Sequence, residues 1–128
     1  MSEVKGKNES SEETLKDLIE ASMLFDFYSD LLDEHKREIY GEYVMNDMSL
    51  SEISESVGIS RQGVYDIIKR CTKQLREYEE RLGLVKRFRE LKADAGKLEK
   101  ISEKLEKQGL SEIAAELASV TKEISMKL

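Results

Sequence analysis

Residues 49–75, which read SLSEISESVGISRQGVYDIIKRCTKQL, decide the fold of this chain. Ser49 followed three residues later by Glu52 is a capping-box pattern, which predicts that a short helix begins there. Gly58 ends that helix, because the turn favours a positive φ that glycine adopts without steric cost. Ser60 is the N-cap of a second helix, whose buried stripe consists of Val64, Ile67, Ile68, Cys71 and Leu75. The spacing predicts a helix-turn-helix.

A polar tail and two helices are predicted ahead of this motif. Residues 1–12 have almost no apolar content, so we expect a disordered tail. A second capping-box pattern at residues 10–13 begins a first helix, in which apolar residues recur at spacings of three and four as far as Leu32. Asp33 is then the N-cap of a further helix. Together with the motif, these helices are expected to form a helix-turn-helix domain over residues 13–89.

The C-terminal part of the chain, residues 90–128, is predicted to be a helical hairpin that turns at Gly109. Apolar residues recur there, and just before it, at alternating spacings of three and four. A lone hairpin seldom buries such narrow apolar stripes fully, so we expect the hairpin to pack on the first helix, on a second copy of the chain, or on both. The stripe residues are Leu84, Phe88, Leu91, Ala95, Leu98, Ile101 and Leu105, then Leu110, Ile113, Leu117, Val120 and Ile124. The pattern therefore favours a homodimer with this hairpin as the packing element.

Composition supports an all-α fold. The 128 residues are 38% charged and include no Pro and no Trp, which is typical of long solvated helices. A single Cys excludes an internal disulfide and a cysteine-based zinc site within one chain. The N-terminus does not resemble a signal sequence, and no apolar run is long enough to span a membrane. We therefore expect a cytoplasmic protein without membrane insertion.

Charge is segregated along the chain. Residues 1–59 carry 5 basic and 15 acidic side chains, residues 60–89 carry 9 and 4, and residues 90–128 carry 7 and 8. The central positive segment is either an electrostatic footprint for phosphate groups or simply the solvated face of a helix. Charge alone does not separate these two interpretations, although the net charge of the whole chain is −6.

The residues give little support to an enzyme. The only histidine, His35, has no second histidine or cysteine cluster near it with which to form a metal site or a nucleophile dyad. Cys71 lies on the apolar stripe and is expected to act as a small buried hydrophobic residue. No glycine-rich phosphate loop is present. We expect no catalytic residues, no cofactor, no metal and no small-molecule ligand.

The second helix of the motif offers a polar face for nucleic acid. Side chains advance 100° per residue, so the face opposite the buried stripe carries polar and charged residues, with Tyr65 at its edge. In a helix-turn-helix the start of this helix enters the major groove, whereas later lysines meet phosphates. Asp66 opposes this interpretation in part, because a carboxylate repels phosphate even though it can accept from cytosine. The candidate nucleic-acid-binding residues are Arg61, Gln62, Tyr65, Asp66, Lys69 and Lys73.

Three runs of sequence resemble one protein family. They are MLFDFYSDLL at 23–32, YGEYVMNDMSLSEISESVGISRQGVYDIIKR at 40–70 and YEERLGLVKRF at 78–88. They are similar to the YlxM-like family of small bacterial helix-turn-helix proteins. That family's motif resembles the fourth region of bacterial sigma factors, a helix-turn-helix of the winged-helix-like or homeodomain-like kind. The resemblance covers about residues 18–89 and leaves out the tail and the hairpin.

The resemblance implies a function. It implies a cytoplasmic, DNA-binding regulatory protein connected to the signal recognition particle pathway, with Arg61, Gln62, Tyr65 and Lys69 at positions that match the motif. The alternative is an accessory protein of the signal recognition particle that binds its GTPase or its RNA rather than DNA. In the LFDFY segment, Phe25, Phe27 and Tyr28 are expected to lie in the core, because burial of each aromatic ring is worth about 1.5 to 3 kcal/mol.

Overall fold

The protein is a chain of helices. The computed structural model describes the backbone of residues 2–128 and the side chains of residues 15–128. The described helices are α1 (Ser2–Tyr28), a short 3-10 turn (Ser29–Leu31), α2 (Glu34–Val44), α3 (Leu50–Val57), α4 (Arg61–Leu82), α5 (Leu84–Lys107) and α6 (Ser111–Lys127). No β-strand occurs in the part of the chain that the structure describes. The prediction of an all-α fold with a helix-turn-helix and a C-terminal hairpin is confirmed.

The chain divides into two compact units, residues 1–83 and residues 84–128. The division falls at Gly83, whose φ of +63° ends α4 in the left-handed region, and residues 84–89 already belong to α5. The hairpin therefore begins at residue 84, ahead of residue 90, where the sequence predicted its start. The backbone of residues 2–12 belongs to α1, where the sequence predicted a disordered tail. The predicted cap at residues 10–13 involves side chains outside the described ones and stays a prediction.

Three helix starts follow the predicted capping chemistry. The side chain of Asp33 accepts from the Lys36 amide at 2.9 Å, that of Ser49 from the Glu52 amide at 3.1 Å, and that of Ser60 from the Gly63 amide at 3.0 Å. Each bond satisfies one of the backbone amides that have no partner within the first turn of a helix. The predicted starts of α2, α3 and α4 are confirmed.

The turn between α3 and α4 is fixed by two local features. Gly58 has a φ of +81°, a conformation that side chains with a Cβ adopt only with strain, and its amide donates to the carbonyl of Ser54 at 3.0 Å. The Ser54 hydroxyl donates to the carbonyl of Ile59 at 2.5 Å. These contacts set the direction in which the chain leaves α3, so the start of α4 has a defined place beside it.

Two buried tyrosines connect α4 to the helices packed on it. The Tyr28 hydroxyl of α1 donates to the Glu79 carboxylate at 2.5 Å, and the Tyr40 hydroxyl of α2 hydrogen-bonds Thr72 at 2.8 Å. Both rings are almost fully buried. Burial raises the pKa of the Tyr40 hydroxyl, which keeps it protonated and able to donate. The apolar stripe of α4 and these two bonds hold one side of the helix against the core.

One aromatic residue expected in the core is on the surface. Phe25 and Tyr28 are buried as predicted, but Phe27 is 37% exposed. The prediction for Phe27 was wrong because three aromatic residues within four positions of a helix cannot all face the same side. Phe27 instead lies beside the ring of Tyr28, with a distance of 6.4 Å between the ring centroids.

The hairpin packs through small side chains. Within residues 84–128, four of the five buried residues are small, Ala95 and Ser102 on α5 and Ala114 and Thr121 on α6, and the fifth is Val85 near the start of α5. The Ser102 hydroxyl donates to the carbonyl of Ala114 at 2.8 Å. Gly109, with a φ of +82°, makes the predicted turn. Most of the predicted stripe of large aliphatic residues is only half-buried or exposed, because the small residues occupy the contact between the helices.

We expect Tyr40→Phe to lower the free energy of unfolding by about 0.5 to 1.5 kcal/mol, because it removes the hydrogen bond to Thr72 and retains the ring. Urea unfolding followed by circular dichroism measures the change. Tyr43→Phe is the matched control, since no hydrogen bond of its hydroxyl is found among the described residues. Equal stability of the two variants would contradict the assigned role of the Tyr40 hydroxyl.

We expect the thiol of Cys71 to resist labelling in the native protein. Its side chain is fully buried, and burial raises its pKa from 9.0 to about 11. At pH 8 the folded chain therefore holds about 100-fold less thiolate than the unfolded chain, in addition to steric protection. A disulfide reagent should label it at once in denaturant and only slowly without it. Equally fast labelling in both conditions would show that α4 is not packed as described.

Candidate nucleic-acid interface

The outer face of α4 is fixed by what lies on its inner face. Val64, Ile68, Cys71 and Leu75 are buried and recur at spacings of three and four. Because side chains advance 100° per residue, the residues halfway around the helix point away from the core. This surface begins at the first turn of α4, where the Ser60 cap leaves the side chains of Arg61 and Gln62 outside.

All six sequence-predicted site residues lie on the exposed surface of α4. Tyr65, the largest of them, is 47% exposed despite its aromatic ring. The six span three turns and are arranged along one side of the helix. We call this surface the outer face of α4; its members are Arg61, Gln62, Tyr65, Asp66, Lys69 and Lys73.

Two of the polar residues are joined to each other. The Gln62 amide nitrogen donates to the Asp66 carboxylate at 3.1 Å, one turn apart. The pair leaves the amide oxygen of Gln62 and the second carboxylate oxygen of Asp66 with capacity to accept hydrogen bonds. The carboxylate that opposed phosphate binding in the sequence analysis is thus partly satisfied by its neighbour.

The basic residues of α4 differ in their surroundings. Arg76, one turn beyond the outer face, forms an ion pair with Glu20 of α1 at 3.5 Å. Lys69 and Lys73 form no ion pair with any residue whose side chain the structure describes. An open groove of about 850 Å³ runs along this part of the helix, and Lys69, Arg70 and Lys73 lie on it with Asp66, Glu77 and Glu80. The two lysines are therefore available to an anion.

A smaller depression adds one residue that is not among the six predicted site residues. Leu50 at the start of α3 lines an open depression of about 510 Å³ together with Arg61, Gln62 and Tyr65. The side chain of Leu50 is half-buried, so part of it is on the surface. The sequence did not indicate this contact, because it depends on the angle at which α3 crosses α4 and not on the spacing of residues along either helix.

Other kinds of site find little support in the described residues. No group of three or more His, Cys, Asp or Glu side chains among them could hold a metal ion. No helix in the described part is long and apolar enough to cross a membrane. His35 is exposed and Cys71 is buried, and neither is part of a cluster.

Comparison with known proteins gives one consistent result. The family described as "Putative helix-turn-helix protein, YlxM / p13 like", UPF0122, matches residues 14–120. A UPF0122 protein of Thermoanaerobacter sp. (strain X514) is 43% identical over 112 residues, which cover 88% of this chain and 93% of that protein. One of Caldanaerobacter subterraneus is 51% identical over 87 residues (68% and 72%), and one of Symbiobacterium thermophilum is 38% identical over 110 (85% and 99%).

The family match corrects the extent of the resemblance. It continues to residue 120 and so includes most of the hairpin, which lies beyond the resemblance seen in the sequence over residues 18–89. The missed signal is the repeated spacing of apolar residues there, which is less specific than the motifs of the first unit. No solved structure matches the chain significantly.

Proposed function

Because this chain belongs to the UPF0122 family of YlxM/p13-like helix-turn-helix proteins, we propose that it is a cytoplasmic regulatory protein that binds double-stranded DNA through α4. One observation carries the proposal. The outer face of α4 is exposed from its first turn onward and has two lysines without an ion pair among the described side chains. A helix with this face can enter the major groove with its N-terminal residues nearest the bases.

The residues of the outer face divide into two roles. Arg61 is suited to guanine and Gln62 to adenine, because each can form two hydrogen bonds with the edge of that base. Tyr65 and the exposed part of Leu50 can contact the methyl group of thymine. Lys69 and Lys73 lie further along the helix, where they meet phosphates. Base contacts thus come from the first turns and phosphate contacts from the later ones.

Acidic residues near the outer face limit non-specific affinity. Glu52 and Glu55 of α3 are exposed, and Asp66 lies on the outer face itself. These carboxylates repel the phosphate backbone and lower the sequence-independent part of binding. A protein of this kind depends more on its base contacts, and on two copies binding together, than a strongly basic one does. We include homodimerisation in the proposal, with two α4 helices reading an inverted repeat.

The two roles predict different mutational effects. The unchanged protein first selects a duplex from a random library. We expect Arg61→Ala or Gln62→Ala to weaken the free energy of binding to that duplex by about 1 to 3 kcal/mol and to relax the base preference at one position. Lys73→Ala should weaken binding to all sequences alike and reduce the salt slope by about 1. Fluorescence anisotropy at several salt concentrations measures both effects.

The matched control is Lys100→Ala, which removes an exposed lysine from the hairpin. It should leave the affinity, the salt slope and the sequence preference unchanged. If the three α4 variants bind every duplex as the unchanged protein does, the outer face is not the DNA-binding surface. Failure of the unchanged protein to select any duplex would reject DNA as the target.

A second candidate function rests on the same acidic residues. Glu52, Glu55 and Asp66 make the surface mixed in charge, which suits a protein partner better than a strongly basic surface would. The alternative is an accessory factor of the signal recognition particle that binds its GTPase or its RNA. In that case the purified protein should co-elute with the particle, or change its GTP hydrolysis, without added DNA. Absence of both effects at tens of micromolar of each component would reject this alternative.

Crosslinking in cells compares the two candidates directly. Recovery of DNA and RNA from the same crosslinked sample shows which nucleic acid is enriched with the protein. We expect DNA fragments that share an inverted repeat. Enrichment of the RNA of the signal recognition particle, without enriched DNA, would favour the accessory-factor function instead.

A further inference from the structure

The hairpin of residues 84–128 leaves most of its large aliphatic side chains half-buried or exposed. Its two helices meet through small residues, Ala95 and Ser102 on α5 and Ala114 and Thr121 on α6. Small residues allow close approach of two helices but bury little apolar area, and burial is what stabilises helices in water. A pair of helices joined in this way is weakly supported on its own.

The large aliphatic residues form one continuous face. Around the axis of α5, at 100° per residue, they lie 40° to 120° to one side of the buried Ala95 and Ser102. Around the axis of α6 they lie at similar angles from the buried Ala114 and Thr121. Because the two helices are antiparallel, these equal rotations bring both rows to the same side of the hairpin. We call this the aliphatic face; its members are Leu98, Ile101 and Leu105 on α5 and Ile113, Leu117, Val120 and Ile124 on α6.

Much of this face is in contact with water. Ile101, Ile113 and Val120 are each about half exposed or more, at 47%, 53% and 48%. The other four members are half-buried. Single apolar residues scattered over a surface are common in proteins. A contiguous apolar surface of this kind instead marks an interaction site. The period of the rows, with alternating spacings of three and four, is that of helices that pack lengthwise on other helices.

The borders of the aliphatic face carry opposite charges. Lys97 and Lys104 border it on α5, and Glu112, Glu116 and Glu123 border it on α6. Asp94 and Lys127 depart from this pattern near the end of the hairpin that lies away from the turn. The hydrogen bond from Ser102 to Ala114 sets the level of the two helices, which places Lys104 at about the height of Glu112. A second hairpin turned by a two-fold axis parallel to the helices would therefore bring basic borders beside acidic ones.

We infer that the aliphatic face joins two copies of this chain in a four-helix bundle, with α5 of each hairpin beside α6 of the other. The inference rests on the homodimer included in the proposed function and names the surface that forms it. Such an interface is isologous, so the same patch serves both partners. Its apolar centre and charged rim correspond to the usual anatomy of protein interfaces.

Light scattering coupled to gel filtration tests the inference. At tens of micromolar we expect a dimer mass for the unchanged chain. Val120→Lys introduces a charge on the aliphatic face and should weaken the dimer by about 100-fold or more, giving a monomer mass. Met126→Lys is the matched control, because Met126 is 78% exposed and lies on the opposite side of α6. It should remain a dimer.

A charge exchange covers the case in which Val120→Lys fails to fold. Lys104→Glu places two acidic borders side by side and should weaken the dimer, and adding Glu112→Lys should restore it. Circular dichroism confirms that each variant remains helical. Lys122→Glu, on another side of α6, controls for the change in net charge.

Several outcomes would overturn the inference. A monomer mass for the unchanged chain would show that the face is covered within one chain or is free. A dimer that survives Val120→Lys and both charge changes would place the interface elsewhere. DNA binding is measured separately by anisotropy. If these variants convert the dimer to a monomer but the unchanged chain does not bind DNA, the interface is supported and DNA is rejected as the target. If the unchanged chain binds DNA as a monomer, the interface is rejected and DNA remains the target.

Discussion

The packing of one side of α4 against the core is the constraint on which the proposed function depends. Four buried residues and two tyrosine hydroxyl groups hold that side, and a helix held on one side presents a fixed set of residues on the other. The tyrosines matter because aliphatic side chains alone allow a helix to slide or rotate slightly. A hydrogen bond between a buried hydroxyl and a specified partner does not tolerate such movement.

Local chemistry explains which parts of the fold could be predicted. The caps Asp33, Ser49 and Ser60 and the turn at Gly58 involve residues within a few positions of one another, so the sequence specifies them directly. The Tyr28–Glu79 and Tyr40–Thr72 bonds connect residues 51 and 32 positions apart, and no spacing rule could have found them. Phe27 was misplaced because composition indicates that aromatic residues are buried and does not say which one faces outward.

The hairpin shows a different limit of sequence patterns. The alternating spacings predicted two helices and their turn at Gly109, and both are present. Of the residues assigned to the contact between the helices, the same spacings included Ala95 but not Ser102, Ala114 and Thr121. The period of the apolar residues identifies a face of a helix, but it does not indicate which of two adjacent rows of residues forms the contact with the other helix. Side-chain size decides that, because small residues permit the closest approach.

The candidate site was predictable in position but not in detail. The rotation of 100° per residue along α4 predicted that the six residues of the outer face lie opposite the buried stripe, and they are exposed in the structure. The Gln62–Asp66 bond and the contribution of Leu50 were found only in the structure. DNA binding through α4 is tested most directly by titrating ¹⁵N-labelled protein with a selected duplex and following the amide chemical shifts. We expect the largest changes on residues 61–73 and on Leu50. Changes confined to residues 84–128, with α4 unaffected, would contradict it.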